Sequence, residues 1–336
     1  MHQPRVVLLG DGAEPQKPKD DIAAPIFILA PPRSFSTVVC AMLGQHPQLY
    51  GLPEIHLFGA QTVAEWLQQC ADATYPMSHG LLRAVAQLIY TEQTEHTIAR
   101  ARGWLTRRSQ LNVGLLYEVL AQQVFPRALV DKSPSIVYSL DFLERTQRLF
   151  PNARFIHLVR HPRGQGRSVF KYIEERAKHG PMAQTHWLFH LLSYPFRFPD
   201  DDPAAPYVSD PQKGWYVLNR NIVQFLERTP SHQWMRVRGE DVLSQSRTAL
   251  REIVSWLGLC ADDAAIEEMH HPERSPFACY GPVGAKYGND RLFLDSPSLR
   301  PDRAEQLNLE GPMDWSTEGH GFHWQVLELA RSFGYT

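Results

Sequence analysis

The chain is poor in the features that mark disulfide-stapled, membrane-spanning or nucleic-acid-binding proteins. It has four cysteines in 336 residues, Cys40, Cys70, Cys260 and Cys279, and no two of them form a CxxC pair. Such spacings argue against a disulfide framework and against a thiolate zinc site. No other ligand cluster stands out, so no metal is expected. Cys40 falls within an apolar helical run and reads as a small buried side chain. Charge of one sign is also missing: 34 Lys and Arg face 36 Asp and Glu, for a net charge of −2. The chain therefore has no global field to recruit nucleic acid or an anionic membrane surface. An anionic ligand must be met by a local group of basic side chains. Long apolar runs are absent too. "VVLLG" at residues 6–10 is too short for a signal-peptide core, and no run is long enough to span a bilayer. A reducing, cytoplasmic setting is the expectation.

What is present is ample apolar material, 43% of residues with 11% aromatic, enough for a sizeable core and too much for a mainly disordered chain. The length suits one large α/β domain carrying an insertion. Residues 1–24 read as a polar, proline-bearing leader, and residues 25–336 as a single domain. "PIFILA" (25–30), "ALVDKS" (128–133), "ARFIHLVR" (153–160) and "WMRVRGED" (234–241) are strand candidates. Helical patterns follow several of them, as in "STVVCAMLGQ" (36–45), "SVFKYIEERAKH" (168–179) and "SRTALREIVSWLGL" (246–259). Short strands alternating with helices predict a mostly parallel central sheet flanked by helices on both faces. Between about 179 and 213 the rhythm fails, and aromatics sit beside an acidic, proline-rich turn. This stretch is expected to be a helical and aromatic insertion, serving either as a lid or as a small satellite core.

Ligands of open α/β sheets collect outside the carboxyl ends of the strands. Three polar clusters follow strand candidates in that way: Arg33–Thr37, Asp131–Ser135 and Arg160–Ser168. If the strands are parallel neighbours, the clusters share one rim. Ser36 and Thr37 would stand at a helix N-terminus, where free N–H groups and the helix dipole favour an anion, with Arg33 adding charge. Ser36 as a plain N-cap and Arg33 as a surface residue fit that loop equally well. Arg160 at a strand end and Ser168 on the following helix could grip a second anion, or Arg160 could be an ordinary salt-bridge partner. The loop has neither the glycines nor the lysine of GxxxxGK[ST], so it is not a Walker loop.

Taken together, "PPRSFSTVVCAMLGQHP" resembles the 5′-phosphosulfate loop of the sulfotransferases that use 3′-phosphoadenosine-5′-phosphosulfate (PAPS). "FIHLVRHPRGQGRSVF" resembles their 3′-phosphate element, with the Arg160-to-Ser168 spacing. "LVDKSP" and "VRGEDVLSQSRTALREIVSWLGL" are similar to further family blocks, so the likeness spans residues 25 to about 260. It implies a P-loop-like sandwich fold and transfer of a sulfuryl group from PAPS, without a metal, to a hydroxyl acceptor. It also implies that Arg33, Ser34, Phe35, Ser36 and Thr37 hold the 5′ end of PAPS, that Arg160 and Ser168 hold its 3′-phosphate, and that Lys132 stabilises charge at the transferred group. "GLPEIHLF" (51–58) aligns with the segment that supplies a glutamate base in the tyrosyl-protein branch, which points to Glu54. His56, two residues on, would share a face with it in an extended segment and is the rival base.

Two departures stand out. Phe35 occupies the usual glycine position, and Gly239 in "RGED" stands where relatives often carry tyrosine. The late stretch "GAKYGNDRLFL" (284–294) and "GWYVLNRNI" (214–222) are similar to bacterial sulfotransferases of polyketide synthases that act on carrier-bound β-hydroxyacyl chains. The acceptor expected is a small molecule, a lipid or a carrier-bound hydroxyl. A P-loop-like kinase or nucleotide hydrolase is the alternative, in which Asp131 would bind magnesium, but its phosphate-loop lysine is unfilled. A non-catalytic nucleotide-binding descendant is the third reading.

Overall fold

The computed structural model describes residues 22–73, 76–177, 196–204 and 210–336. Five strands form one sheet in the order β2-β3-β1-β4-β5, and every pairing is parallel. They are β1 (Ile26–Leu29), β2 (Leu49–Gly51), β3 (Ala128–Asp131), β4 (Arg154–Val159) and β5 (Trp234–Arg238). Helix α1 (Ser36–Leu43) follows β1. Helices α2 (Val63–Asp72), α3 (His79–Tyr90), α4 (Glu95–Thr106) and α5 (Val113–Gln122) separate β2 from β3. Helix α6 (Leu140–Leu149) leads into β4, α7 (Pro162–Ala177) leaves it, and α8 (Pro211–Leu226) precedes β5. Helices α9 (Gly239–Ser244) and α10 (Ser246–Trp256) follow β5.

The central strand explains why the sheet is covered on both faces. Side chains alternate across a strand. In β1, Phe27 and Leu29 enter one core with Phe58, Tyr117, Phe150 and Phe155, while Ile26 and Ile28 enter a second with Val39, Ile156 and Ile253. A strand apolar on both faces reads as a continuous run, and "IFIL" is one. All four of these residues are buried.

Expected strands 25–30, 128–133, 153–160 and 234–241 are all found, the last ending at Arg238, where α9 begins. Strand β2 and the helical excursion α2–α5 lie where the sequence analysis placed no elements. Of the expected leader, residues 1–21 lie outside the described residues, as does most of the expected 179–213 insertion. Its described part does pack: Phe196 and Phe198 meet Tyr216 of α8, in a small core shared with Trp215, Phe322 and Phe333. No helix among the described residues is long and apolar enough to cross a membrane.

The strand order reverses at β1, which has β3 on one side and β4 on the other. Its loop therefore opens at a topological switch point, between the loops that follow its two neighbours. The register Phe27↔Asp131 and Leu29↔His157 staggers the three strand ends: β3 stops two residues before the end of β1, and β4 runs two residues past it.

Candidate active site

The three polar clusters do share one rim. From β1 comes Arg33–Thr37, from β3 Lys132–Ser135, and from β4 Arg160 with Ser168 on α7. The half facing β3 is built around Lys132, whose side chain is 1% exposed. Its Nζ donates to Thr37 Oγ1 at 2.8 Å and to Glu54 Oε1 at 2.5 Å. The other carboxylate oxygen, Oε2, lies 3.6 Å from His56 Nε2. Burial alone would raise the Glu54 pKa, but the Lys132 charge, with the contact and charge of His56, outweighs it and holds the carboxyl at about 2.

His56 approaches Glu54 by a different route from an extended segment. It adopts φ 49°, ψ 34° and caps a short 3₁₀ turn, so the chain bends at His56. Its Nδ1 is 3.1 Å from Ser135 Oγ, which leaves Nε2 directed at Glu54. A brace under this bend fixes the segment. Asp131 Oδ1 accepts from the Ser133 backbone N–H and hydroxyl, and Ser133 Oγ accepts the backbone N–H groups of Ile55 and His56. Asp131 is fully buried, and among the described residues its Oδ2 has no hydrogen-bond partner. Burial pushes its pKa up to about 6 despite the Ser133 hydrogen bonds and the charges of His56 and Lys132, which act to lower it.

The half facing β4 holds its cations differently. Arg33 Nε donates to Ser168 Oγ at 3.1 Å, joining the first loop to α7, and Arg33 Nη1 pairs with Asp290 at 2.7 Å. Arg160 Nη1 donates to the Arg33 carbonyl at 2.6 Å, and its guanidinium lies 4.0 Å above the Phe35 ring centroid. Among the described residues Arg160 has no carboxylate partner. Burial lowers its pKa to about 10, still cationic at neutral pH. The Arg160 carbonyl accepts from Trp215 Nε1 at 2.8 Å. Asn219 then bonds both the Trp215 carbonyl and His157 of β4, so the "GWYVLNRNI" segment serves as a frame for the Arg160 strand end. Arg167, adjacent in sequence to Ser168, turns away to Asp314 and Glu305.

Ser36 opens α1 as its first residue, and the capping position falls to Phe35, which makes no side-chain cap. The first N–H groups of an eight-residue helix thus face the rim without a side-chain partner. Phe35 has φ 65°, ψ 7°, the left-handed region that favours glycine. A β-carbon there costs about 1–2 kcal/mol. Arg33 (φ 70°) and His56 (φ 49°) share this backbone region, so three of the four positive-φ non-glycine residues described lie in the site. Such strain persists where surrounding contacts over-determine the backbone. Ser34 is 1% exposed, and among the described residues its hydroxyl has no hydrogen-bond partner, an orphan beside the helix start.

Sequence reasoning missed Asp290, Ser133 as a brace, and the late loop's grip on Glu54. The Glu54 backbone N–H donates to Gly288 O at 2.7 Å, and a β-carbon on Gly80 would collide with the Glu54 carbonyl. Glycine at 80 is therefore what allows α3 to approach the segment so closely. Asp290 lies 257 residues from Arg33, so no local spacing could have linked them. Among the described residues no three His, Cys, Asp or Glu side chains gather as a metal site.

Comparison with known proteins adds a fold and a family. Residues 25–263 match the sulfotransferase family. The structure is similar to the sulfotransferase domain from the curacin biosynthetic pathway, with a TM-score of 0.70 and 22% identity over 94% of this chain and 99% of that one. It is also similar to the sulfotransferase domain from the Synechococcus PCC 7002 olefin synthase, with a TM-score of 0.69 and 24% identity over 96% and 99% of the two chains. At these identities the two likenesses speak for the α/β, P-loop-like fold. No curated protein matches the sequence.

Proposed function

The chain belongs to the sulfotransferase family, and from that premise we propose that it moves the sulfuryl group of PAPS to a hydroxyl acceptor by in-line transfer. The observation that carries this reading is the Thr37–Lys132–Glu54 chain, set next to a loop whose arginine reaches across to Ser168. An acid–base pair and an anion cradle on one rim are what sulfuryl transfer requires. As in phosphoryl transfer, positioning and electrostatics carry the catalysis.

The residues fit the donor. Arg33, the α1 N–H groups and the orphan Ser34 hydroxyl suit the 5′-phosphosulfate, with Phe35, Ser36 and Thr37 completing the loop. Arg160, without a carboxylate partner among the described residues, and Ser168 suit the 3′-phosphate. Lys132 would stabilise charge as the bond between sulfur and the bridging oxygen breaks. Glu54 would take the acceptor proton, with His56 orienting it. The Lys132 pair that keeps the Glu54 pKa near 2 makes it a weak base at rest. When Lys132 turns its charge toward the departing phosphate, Glu54 loses that stabilisation. Its basicity therefore rises as the acceptor releases its proton.

The acceptor we favour is a hydroxyl on a carrier-bound β-hydroxyacyl chain. The late-loop resemblance supports it, as do the two structural neighbours, which come from a biosynthetic pathway and an olefin synthase. The test has two arms. Thermal stabilisation by PAPS is compared with stabilisation by ATP and magnesium, and release of 3′-phosphoadenosine-5′-phosphate is then followed with carrier-bound, lipid and small-alcohol acceptors. Selective stabilisation by PAPS and acceptor-dependent release are expected. Preferential stabilisation by ATP would overturn the reading in favour of a kinase or nucleotide hydrolase.

A further inference from the structure

The two sequence departures, Phe35 and Gly239, meet in space. Strand β5 ends at Arg238, and Gly239 starts α9 directly beside the loop after β1. A β-carbon built on Gly239 would stand 2.7 Å from Cδ2 of the Phe35 ring and 3.4 Å from the Val159 carbonyl. The first distance is shorter than contacts between real atoms, so a side chain at 239 would force the Phe35 ring to shift. The ring face carries the Arg160 guanidinium at 4.0 Å, within the range of a cation–π contact. Arg160 is otherwise oriented by the Arg33 carbonyl, at 2.6 Å. Glu240, next to Gly239, favours the Arg160 charge from beyond ion-pair distance, while its oxygens accept from the His161 N–H and the Tyr335 hydroxyl. The cation is thus posed by a neutral ring and a carbonyl, neither of which neutralises it.

We infer that Phe35 is a positioning residue that fixes Arg160 in its anion-binding pose, and that glycine at 239 is the space that admits the ring. This rests on Arg160 serving the donor's 3′-phosphate, as proposed above. The arrangement gives a reason for a bulky residue in a left-handed backbone conformation: the loop forgoes the easier glycine because the ring supports the arginine. It also links two positions 204 apart in the chain, 35 and 239, as a matched pair.

Calorimetric titration of the whole protein with 3′-phosphoadenosine-5′-phosphate and with adenosine 5′-phosphate, which lacks the 3′-phosphate, tests the first half. The wild type should prefer the bisphosphate. Phe35→Leu and Phe35→Gly should shrink that preference by about 3- to 30-fold, the range of a lost cation–π contact, so that affinity for the bisphosphate falls by more than affinity for adenosine 5′-phosphate. A purely structural role would weaken both ligands together. Gly239→Ala tests the second half: it should lower Tm in the wild-type background and leave it unchanged in Phe35→Gly. Bisphosphate preference in the Phe35 variants equal to that of the wild type would overturn the positioning role, and an equal Tm effect of Gly239→Ala in both backgrounds would overturn the pairing. A wild type that shows no preference for the 3′-phosphate would instead overturn the assignment of Arg160, and this inference with it.

Discussion

The two halves of the rim hold their cations in opposite ways. Facing β3, Lys132 is buried and already neutralised by Glu54, with Thr37 as a second acceptor. Facing β4, Arg160 is half-buried, rests on an aromatic ring, and has no carboxylate partner among the described residues. A cation paired within the protein contributes to folding and must be re-partnered to act. A cation without a counter-ion costs the free protein something and offers its charge to whatever anion arrives. The first arrangement suits chemistry, because changing partners shifts the basicity of Glu54. The second suits binding, because no counter-ion has to be displaced from Arg160.

The contrast breaks most visibly at Glu54. Glu54→Gln keeps an acceptor for Lys132 but cannot take a proton. Single-turnover release of 3′-phosphoadenosine-5′-phosphate should slow by about 10²- to 10⁴-fold, the usual contribution of a general base, while affinity for that product stays within a few-fold. A loss below about tenfold would move the base role to His56, which stands 3.6 Å away.

Exchanging the cations sharpens it next. Arg160→Ala should raise the Kd for 3′-phosphoadenosine-5′-phosphate by about 10- to 100-fold, the worth of hydrogen bonds to a charged group, and leave Tm unchanged or slightly higher. Lys132→Met should lower Tm, because Glu54 and Thr37 lose a buried partner, at about 1–3 kcal/mol and about 2–4 °C for each kcal/mol in a chain of this size. A drop in Tm for Lys132→Met without one for Arg160→Ala, read by calorimetry, is the expectation. Equal destabilisation would mean that Arg160 is as structural as Lys132.

Much of this contrast was legible in the sequence, and the rest was not for definite reasons. Strands β1, β3 and β4 show as apolar runs followed by charge, and the segments after them carry Arg33, Lys132 and Arg160 to one rim. Strand β5, "WMRVR", carries two arginines and is only partly apolar. Strand β2 is only "LYG", three residues including a glycine, too short to show a period. The partner that makes Lys132 different from Arg160 is Glu54, found through motif resemblance and not through spacing. The brace from Asp131 to Ser133 has a local signature, an Asp bonding the backbone two residues on, but only the fold shows that Ser133 then holds residues 55 and 56. Asp290 on Arg33 and Gly239 beside Phe35 are contacts between distant segments, set by how α9 and the late loop pack on the sheet. Position 35 looked like an unexplained departure for the same reason: its partners are at 160 and 239.

The smallest predicted effect probes the brace that supports the β3 half. Asp131 is buried with one oxygen unpartnered, and its pKa is raised from 3.8 to about 6. Between those values the native state holds a proton that the unfolded chain releases, so stability should fall as pH rises from about 4 to 6 and level off above. The amide introduced by Asp131→Asn cannot titrate, and its oxygen can still accept both Ser133 bonds. The Tm difference, variant minus wild type, should therefore increase between about pH 4 and 6 and then stay constant. Parallel Tm curves would mean that Asp131 is ionised throughout. The brace would then share the Lys132 charge with Glu54, and the two halves of the rim would differ less than their contacts suggest.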